Sequence, residues 1–593
     1  MNRIWRIHPH QPDRIAQLQR AVGVPAVVAQ LLICRGLDTP DVAREFLSPK
    51  LTDLIDPDLL PGIPEATERL AAAVADRRRI VVYGDYDVDG MSATALLFNC
   101  LKLLGADVSY YVPHRLEEGY GLNPEALTTL AAQGAQSVVT VDCGISAVAE
   151  ARLARELGLE LIVTDHHAFA PELPEAAAIV HPQLPGHAYP FTGLSGSGVA
   201  LKLAWALCRR TSQAKRVGPR MKEFLLQAVA LAALGTVADV VPLLGENRVL
   251  VRHGLAALKE RPTLGLATLL SVTGLDQKRQ FDSEDIGFTI APRLNAAGRL
   301  GQAQLAVELL VTDSPQRAQA LAEYVHELNS SRQSLERSIL LAANKQAQQH
   351  LDTHGDAALV LAERGWHPGV IGIVASKLVE RYYCPVVLIA LDELDVKPGV
   401  GSGRSISGFD LHRALAACQE RLLSFGGHAA AAGLKIAPEA IDAFRAEFCE
   451  FVATERNGSE RRGELWIDAE APLSAFNMQA VDQLNLLAPF GPGNRPPMWC
   501  ASGVTVEAPQ RMGGGGRHLS LHLRQGPVRM RAVAFGAGDR ADELAALEGP
   551  LEVAFRPVIN QFRGRRTVEL HLADWRASAE ATTSDPRAAV RSA

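Results

Sequence analysis

The sequence predicts an α/β protein of several units: a parallel-sheet domain, a long connecting helix, a second α/β segment and a small all-β barrel near the C-terminal end. Three observations carry this reading. From about residue 76, short apolar runs alternate with helix-length segments, the pattern of a parallel sheet covered on both faces. After Pro315 there is no proline or glycine until Gly355. Beyond residue 463, short β-rich runs with turn residues between them replace the helices.

The elements follow in order. Residues 1–75 read as short helices with Pro-rich turns, an N-terminal extension. A domain at 76–313 opens on a buried strand at 79–83 and a helix at 91–104 that stops at Gly105. Further buried strands are predicted at 137–141 and 159–164. Ser314 is a good N-cap and Pro315 a good first helical residue. The segment 314–352 reads as one uninterrupted helix, nearly 60 Å long at about 1.5 Å per residue. Its mixed polarity suits a bridge between two domains. The second α/β segment, 353–455, has strands at 357–362 and 385–390 around a helix at 369–382. The barrel, 463–576, has strands at 519–523, 528–535, 551–555 and 567–572, and a frayed tail covers 577–593.

Composition narrows the classes. Hydrophobic residues at 47% and charged residues at 21% exclude a largely disordered or fibrous chain. The formal charge is −6, so a nucleic-acid partner must be held by local basic surface. Eight cysteines without a C-x-x-C pair argue against a disulfide framework or a zinc site, and for buried thiols in a reducing cytoplasm. The first residues contain no apolar leader core. The apolar stretch 228–244 contains Gly235, Thr236, Asp239 and Pro242, so no membrane partner is expected from it.

Four elements carry the chemistry. Asp85, Asp87 and Asp89 follow the first strand, crowding three carboxylates that cations would neutralise. A solvated acidic turn is the alternative for that segment alone. Asp142 follows the second strand, and Asp165-His166-His167 follows the third. Asp239 lies in Gly235-Thr236-Val237-Ala238-Asp239. In open parallel sheets the carboxyl ends of strands share one crevice, where ligands bind. Carboxylates with one or two imidazoles and no thiolate favour Mn²⁺ or Mg²⁺. The set is large enough for two ions, which together activate water and clamp a phosphoryl group.

These motifs resemble those of the DHH phosphoesterases, and within that family the bacterial exonucleases specific for single-stranded DNA. The resemblance covers about residues 50–575. It implies a DHH catalytic domain, a DHH-associated domain and a C-terminal OB-fold. It also implies 5′→3′ hydrolysis of single strands to mononucleotides in recombination and repair. Asp87, Asp89, Asp142, His166 and Asp239 are then metal ligands. Asp165 orients a histidine, and His167 faces either metal or the scissile phosphate. A single-stranded DNA-binding protein and a helicase are implied as partners.

Further residues are read as strand contacts. Arg115 either binds a phosphate or pairs with Glu117 or Glu118. Arg293, Asn295 and Arg299 lie in a small-residue segment that reads as a loop clamping backbone. By resemblance, Ser402 and Arg404 in a Gly-rich segment, with His428 downstream, touch DNA phosphate and form a 5′-phosphate pocket. In the barrel, Arg517, Arg529, Arg563 and Arg565 sit in two acid-free runs, with Phe562 as a stacking platform. The rival readings are another DHH phosphoesterase (for oligoribonucleotide, cyclic dinucleotide or pyrophosphate) and a non-catalytic single-strand-binding scaffold.

Overall fold

The structure is a computed structural model. It describes residues 3–578 apart from Leu116, Ala170, 213–216, Gly355, Asp356, Asp395, 457–462, Glu548, Arg563 and Gly564, and without the side chains of 352–354 and Phe562. Two compact units divide the chain: Leu51–Arg461, and Met1–Lys50 together with Arg462–Ala593.

The larger unit opens on a five-stranded parallel sheet. Its strand order is Val108–Tyr111, Ile80–Tyr83, Ser137–Thr140, Glu160–Thr164, Ala178–Val180. Successive side chains point to opposite faces, so both faces of such a sheet must be apolar. Ile80, Val82, Val139 and Ile162 pack under helices that include Val88–Leu103 and Gly196–Ser212. Val81, Tyr83, Val138 and Val163 pack under Pro124–Ala132 and Val148–Glu156.

Within the stretch 228–244 a helix ends at Asp239, ahead of Pro242, but Gly235 and Thr236 do not interrupt it. Pro219–Ala238 is one helix, long and apolar enough to cross a membrane. Here Ala228 to Thr236 are all buried in the protein core. A glycine and a threonine inside an otherwise strong helix lower its propensity without ending it.

Pro315–His354 is a single helix of 40 residues, about 60 Å long. It is followed by the second sheet, ordered Ser424–Gly427, Ala431–Ile436, Gly399–Arg404, Val386–Leu391, Leu359–Arg364. The Gly-rich segment that holds Ser402 and Arg404 is a strand, paired antiparallel on both sides. Its glycines lie against Leu434 and Leu411, where a side chain would not fit. Likewise Ala291–Arg299 is a helix, where the sequence suggests a loop. Its alanines face the core, which small residues do as readily as they line loops.

The smaller unit is a β-barrel in the order Ala469–Glu470, Trp499–Met512, His518–Gln525, Val528–Ala534, Arg565–Ala577, Leu551–Phe562, closed by pairing of Trp499–Met512 with Leu551–Phe562. The first fifty residues belong to this unit and do not form a separate extension with 51–75. Ile4–Ile7 is a strand, parallel to Glu464–Ile467. Val28, Leu31, Leu32 and Phe46 share one core with Leu473, Trp499 and Phe555. Pairing between chain ends so far apart leaves no local pattern in the sequence.

Candidate metal centre and phosphate wall

Three strand ends and one helix end deliver the acidic residues to one place. Asp87 caps the helix Val88–Leu103, its Oδ1 accepting from Gly90 N at 3.0 Å. Asp89 lies in the first turn of that helix, 1% exposed. It accepts from Gly196 N at 2.6 Å and Ser197 N at 2.9 Å. A helix N-terminus is a natural cradle for a carboxylate. The cradle is tight: a Cβ on Gly196 would overlap Asp142, and one on Gly235 would overlap Asp89 Oδ1 and Ser197 Oγ. Gly196, Ser197 and Gly235 shape this cradle and were not among the site residues predicted from the sequence. The available signal was the Ser195-Gly196-Ser197-Gly198 run just ahead of a helix.

Asp142 is 1% exposed and sits at φ 63°, a left-handed conformation that Asp tolerates better than most residues. Its Oδ1 lies 3.1 Å from His166 Nε2. That nitrogen is 3.6 Å from Asp239 Oδ2 and 3.9 Å from Asp89 Oδ2. Asp165 is saturated instead. It accepts from Ile145 N, His166 N, His167 N and His167 Nδ1, at 2.7–3.1 Å. Tyr120 Oη stands 3.1 Å from His167 Nδ1.

The electrostatics follow from burial and crowding. Burial raises the Asp142 carboxyl well above the ordinary range, reinforced by Asp89, Asp87 and Asp85. Burial and then Asp87 do the same for Asp85. Burial, with Asp89 and Asp87, pushes Asp239 up to about 8. Burial holds His166 below its usual value. His167 rises to about 9 against its own burial, because Asp165 accepts its hydrogen bond and carries the opposite charge.

The arrangement fits divalent cations. Asp85 Oδ1, Asp142 Oδ1, His166 Nε2 and Asp239 Oδ2 are buried and have no hydrogen-bond partner. Each such orphan costs about 1–3 kcal/mol unless something satisfies it. Ligand atoms within 4.8 Å of one another form three overlapping groups: Asp85, Asp87 and Asp142; Asp89, His166 and Asp239; Asp142, His166 and His167. Oxygen donors with one or two imidazoles suit Mn²⁺ or Mg²⁺.

A cationic wall lies in the same unit. Arg115 stacks on Tyr86 with its guanidinium carbon 4.8 Å from the ring centre, and makes no ion pair with Glu117 or Glu118 among the described residues. Glu118 is taken by Tyr111 Oη and His114 N. Arg299 donates to Gly369 O at 3.1 Å. Arg404 donates to Ser402 Oγ at 3.1 Å. Burial lowers Arg299 to about 10, and the charges of Arg115, Arg332 and Arg404 add to that. Arg293 is spent within the helices, donating to His326 Nδ1 and Thr289 O. Asn295 is half-buried on the same helix, and His428 is exposed in the hairpin beside Arg404.

On the barrel, the acid-free runs are not acid-free in space. Arg529 pairs with Glu507, Arg531 with Glu569, Arg511 with Asp542 and Arg566 with Asp482, all supplied by other segments. Arg517 and Arg565 are exposed without an ion pair among the described residues. Arg563 and the Phe562 side chain lie outside the described residues.

Comparison with known proteins agrees with this architecture. Residues 79–233 match the DHH family N-terminal domain, 355–454 the DHHA1 domain and 467–574 the RecJ OB domain. The single-stranded-DNA-specific exonuclease RecJ of Bacillus subtilis is 36% identical, over 96% of this chain and 70% of that protein. RecJ of Dickeya dadantii is also 36% identical, over 94% and 96% respectively. The crystal structure of Thermus thermophilus RecJ with Mn²⁺ superposes with a TM-score of 0.81 at 34% identity, covering 97% of this chain and 80% of that one. Its Mg²⁺ complex gives 0.76 at 32% identity, covering 97% and 78%. With three family-specific domains in order and a third of its residues shared along nearly its whole length, this chain belongs to the RecJ family of DHH exonucleases.

Proposed function

We propose that the chain is a metal-dependent exonuclease of single-stranded DNA. It hydrolyses phosphodiester bonds from the 5′ end and releases 5′-mononucleotides during recombination and repair. The observation that carries this is the convergence of orphaned carboxylate and imidazole atoms at one sheet edge, in a chain of the RecJ family.

Asp87, Asp89, Asp142, His166 and Asp239 would hold two Mn²⁺ or Mg²⁺ ions, with Asp85 close enough to join them. When bound, such ions supply Lewis-acid activation of water and neutralise charge on the phosphoryl group. The chain's own residues do the rest. Two backbone N–H groups fix Asp89, so one rotamer faces the site. Asp165 occupies His167 Nδ1 and leaves Nε2 for a phosphate oxygen. Arg115, Arg299, Ser402 and Arg404 receive the 5′-terminal phosphate, and fixing that end sets the polarity of cutting. In this reading residues 76–313 supply the ion ligands and 353–455 much of the phosphate contact. Exposed Arg517 and Arg565 on the barrel would grip the strand more loosely, and Asn295 and His428 would add contacts within the larger unit. The enzyme would work in the cytoplasm beside a single-stranded DNA-binding protein and a helicase.

The test is digestion of 5′- and 3′-labelled single and double strands with Mn²⁺ and with EDTA. Labelled mononucleotide should appear first from the 5′ label, on single strands only and only with metal. Early release from the 3′ label, or turnover in EDTA, would reject the reading.

A further inference from the structure

The long helix carries a buried polar group that the proposed chemistry does not use. Arg332 is 9% exposed. Its two terminal nitrogens are committed, one to Glu336 at 2.6 Å and the other to Asn329 at 3.0 Å. Its Nε is buried with no partner. Glu336 is shared with Lys377 on the helix Pro368–Tyr382. One carboxylate therefore serves two cations.

The place matters. The helix Ala291–Arg299 packs on the long helix, with Arg293 donating to His326 at 3.2 Å. At its far end Arg299 reaches Gly369 O, in the first turn of Pro368–Tyr382. A Cβ on Gly369 would overlap the Arg299 carbonyl, and one on Gly372 would lie 2.9 Å from both Arg404 and Ser402. The Asn329–Arg332–Glu336 face thus lies where the long helix meets Ala291–Arg299, which carries Arg299, and Pro368–Tyr382, whose first turns lie against Arg299, Ser402 and Arg404. Burial is the main reason Arg299 is lowered, and the surplus of positive charge from Arg115, Arg332 and Arg404 adds to it.

We propose that Arg332 is a positioning residue for the 5′-terminal phosphate, bracing Arg299 and the first turn of Pro368–Tyr382 through the Glu336–Lys377 pair. A terminal phosphate, carrying nearly two negative charges, neutralises the surplus and settles the network. The inference rests on the 5′-phosphate reading above, and the experiment separates the two. Binding of single strands ending in 5′-phosphate or 5′-hydroxyl is measured by fluorescence anisotropy in EDTA, for wild type, R332Q, R332K and R404A. Wild type should prefer the phosphate. R332Q should cut the preference ratio by roughly tenfold and leave affinity for the hydroxyl strand within about twofold, the scale of one charge-assisted hydrogen bond. R332K should restore part of the ratio. An unchanged ratio in R332Q, or equal weakening on both strands, overturns the proposal. If R404A keeps the full preference, or wild type has none, the 5′-phosphate reading itself fails and this inference with it. Should R332Q not fold, Lys377→Met at the half-exposed end of the network decides the matter: a reduced ratio supports the brace, an unchanged one removes it.

Discussion

Asp89 owes its precision to atoms that carry no charge of their own. Two peptide N–H groups at the start of Gly196–Ser212 hold both its oxygens. Asp89→Ala and His166→Ala should therefore lower hydrolysis by roughly three orders of magnitude or more, as loss of a central catalytic group does. Strand binding measured in EDTA should survive in both; near-native turnover in either would refute the assignment. Asp165→Asn acts one step away, loosening His167, and should cost about 10–100-fold in rate. The aspartates proposed as ion ligands were legible because most of them follow a predicted strand; Asp239 instead ends a helix. The glycines and Ser197 that shape their cradle were not, since their role arises only when two distant helices meet. The arginine partners Glu507, Asp482 and Asp542 were hidden for the same reason: they come from segments outside each arginine-rich run.

At the scale of elements, apolar periodicity was a good guide and glycine a poor one. The strands ending in aspartate and the long helix could be read from pattern. The strand Gly399–Arg404 and the helix Ala291–Arg299 could not, because small residues serve tight packing as well as loops. The long helix is continuous across Ser330, an exposed position. Ser330→Pro removes a backbone hydrogen bond and should cost about 3 kcal/mol or more, visible as a lower midpoint in urea. The strand Glu160–Thr164 offers a pH test. Despite some burial, Glu160 is held below the ordinary carboxylate range by hydrogen bonds from Arg69 and Arg78. Its contribution to stability is complete above the unfolded value of about 4.3 and fades as pH falls through the lower folded value. Wild type should exceed Glu160→Gln in urea stability at neutral pH, and the gap should close in acid. A gap that persists in strong acid would show that the pairing is not its source.

For the molecule as a whole, the net charge of −6 hides how binding must respond to salt. If exposed Arg517 contacts backbone phosphate, Arg517→Ala should flatten the slope of log affinity against log salt by about 0.7, the share of one phosphate on a single strand. An unchanged slope would take Arg517 off the strand path. The grouping of the chain ends into one unit was the least legible feature, since nothing local in Ile4–Ile7 announces a partner more than four hundred residues away.

That pairing bears on how the chain is made. A ribosome finishes the contiguous Leu51–Arg461 unit while the opening fifty residues still lack their neighbours. Those residues must wait, with Leu31, Leu32 and Phe46 uncovered, until the barrel emerges behind them. Residues 1–50 are therefore among the last parts to mature, and nascent chains stalled before residue 462 should expose them to protease.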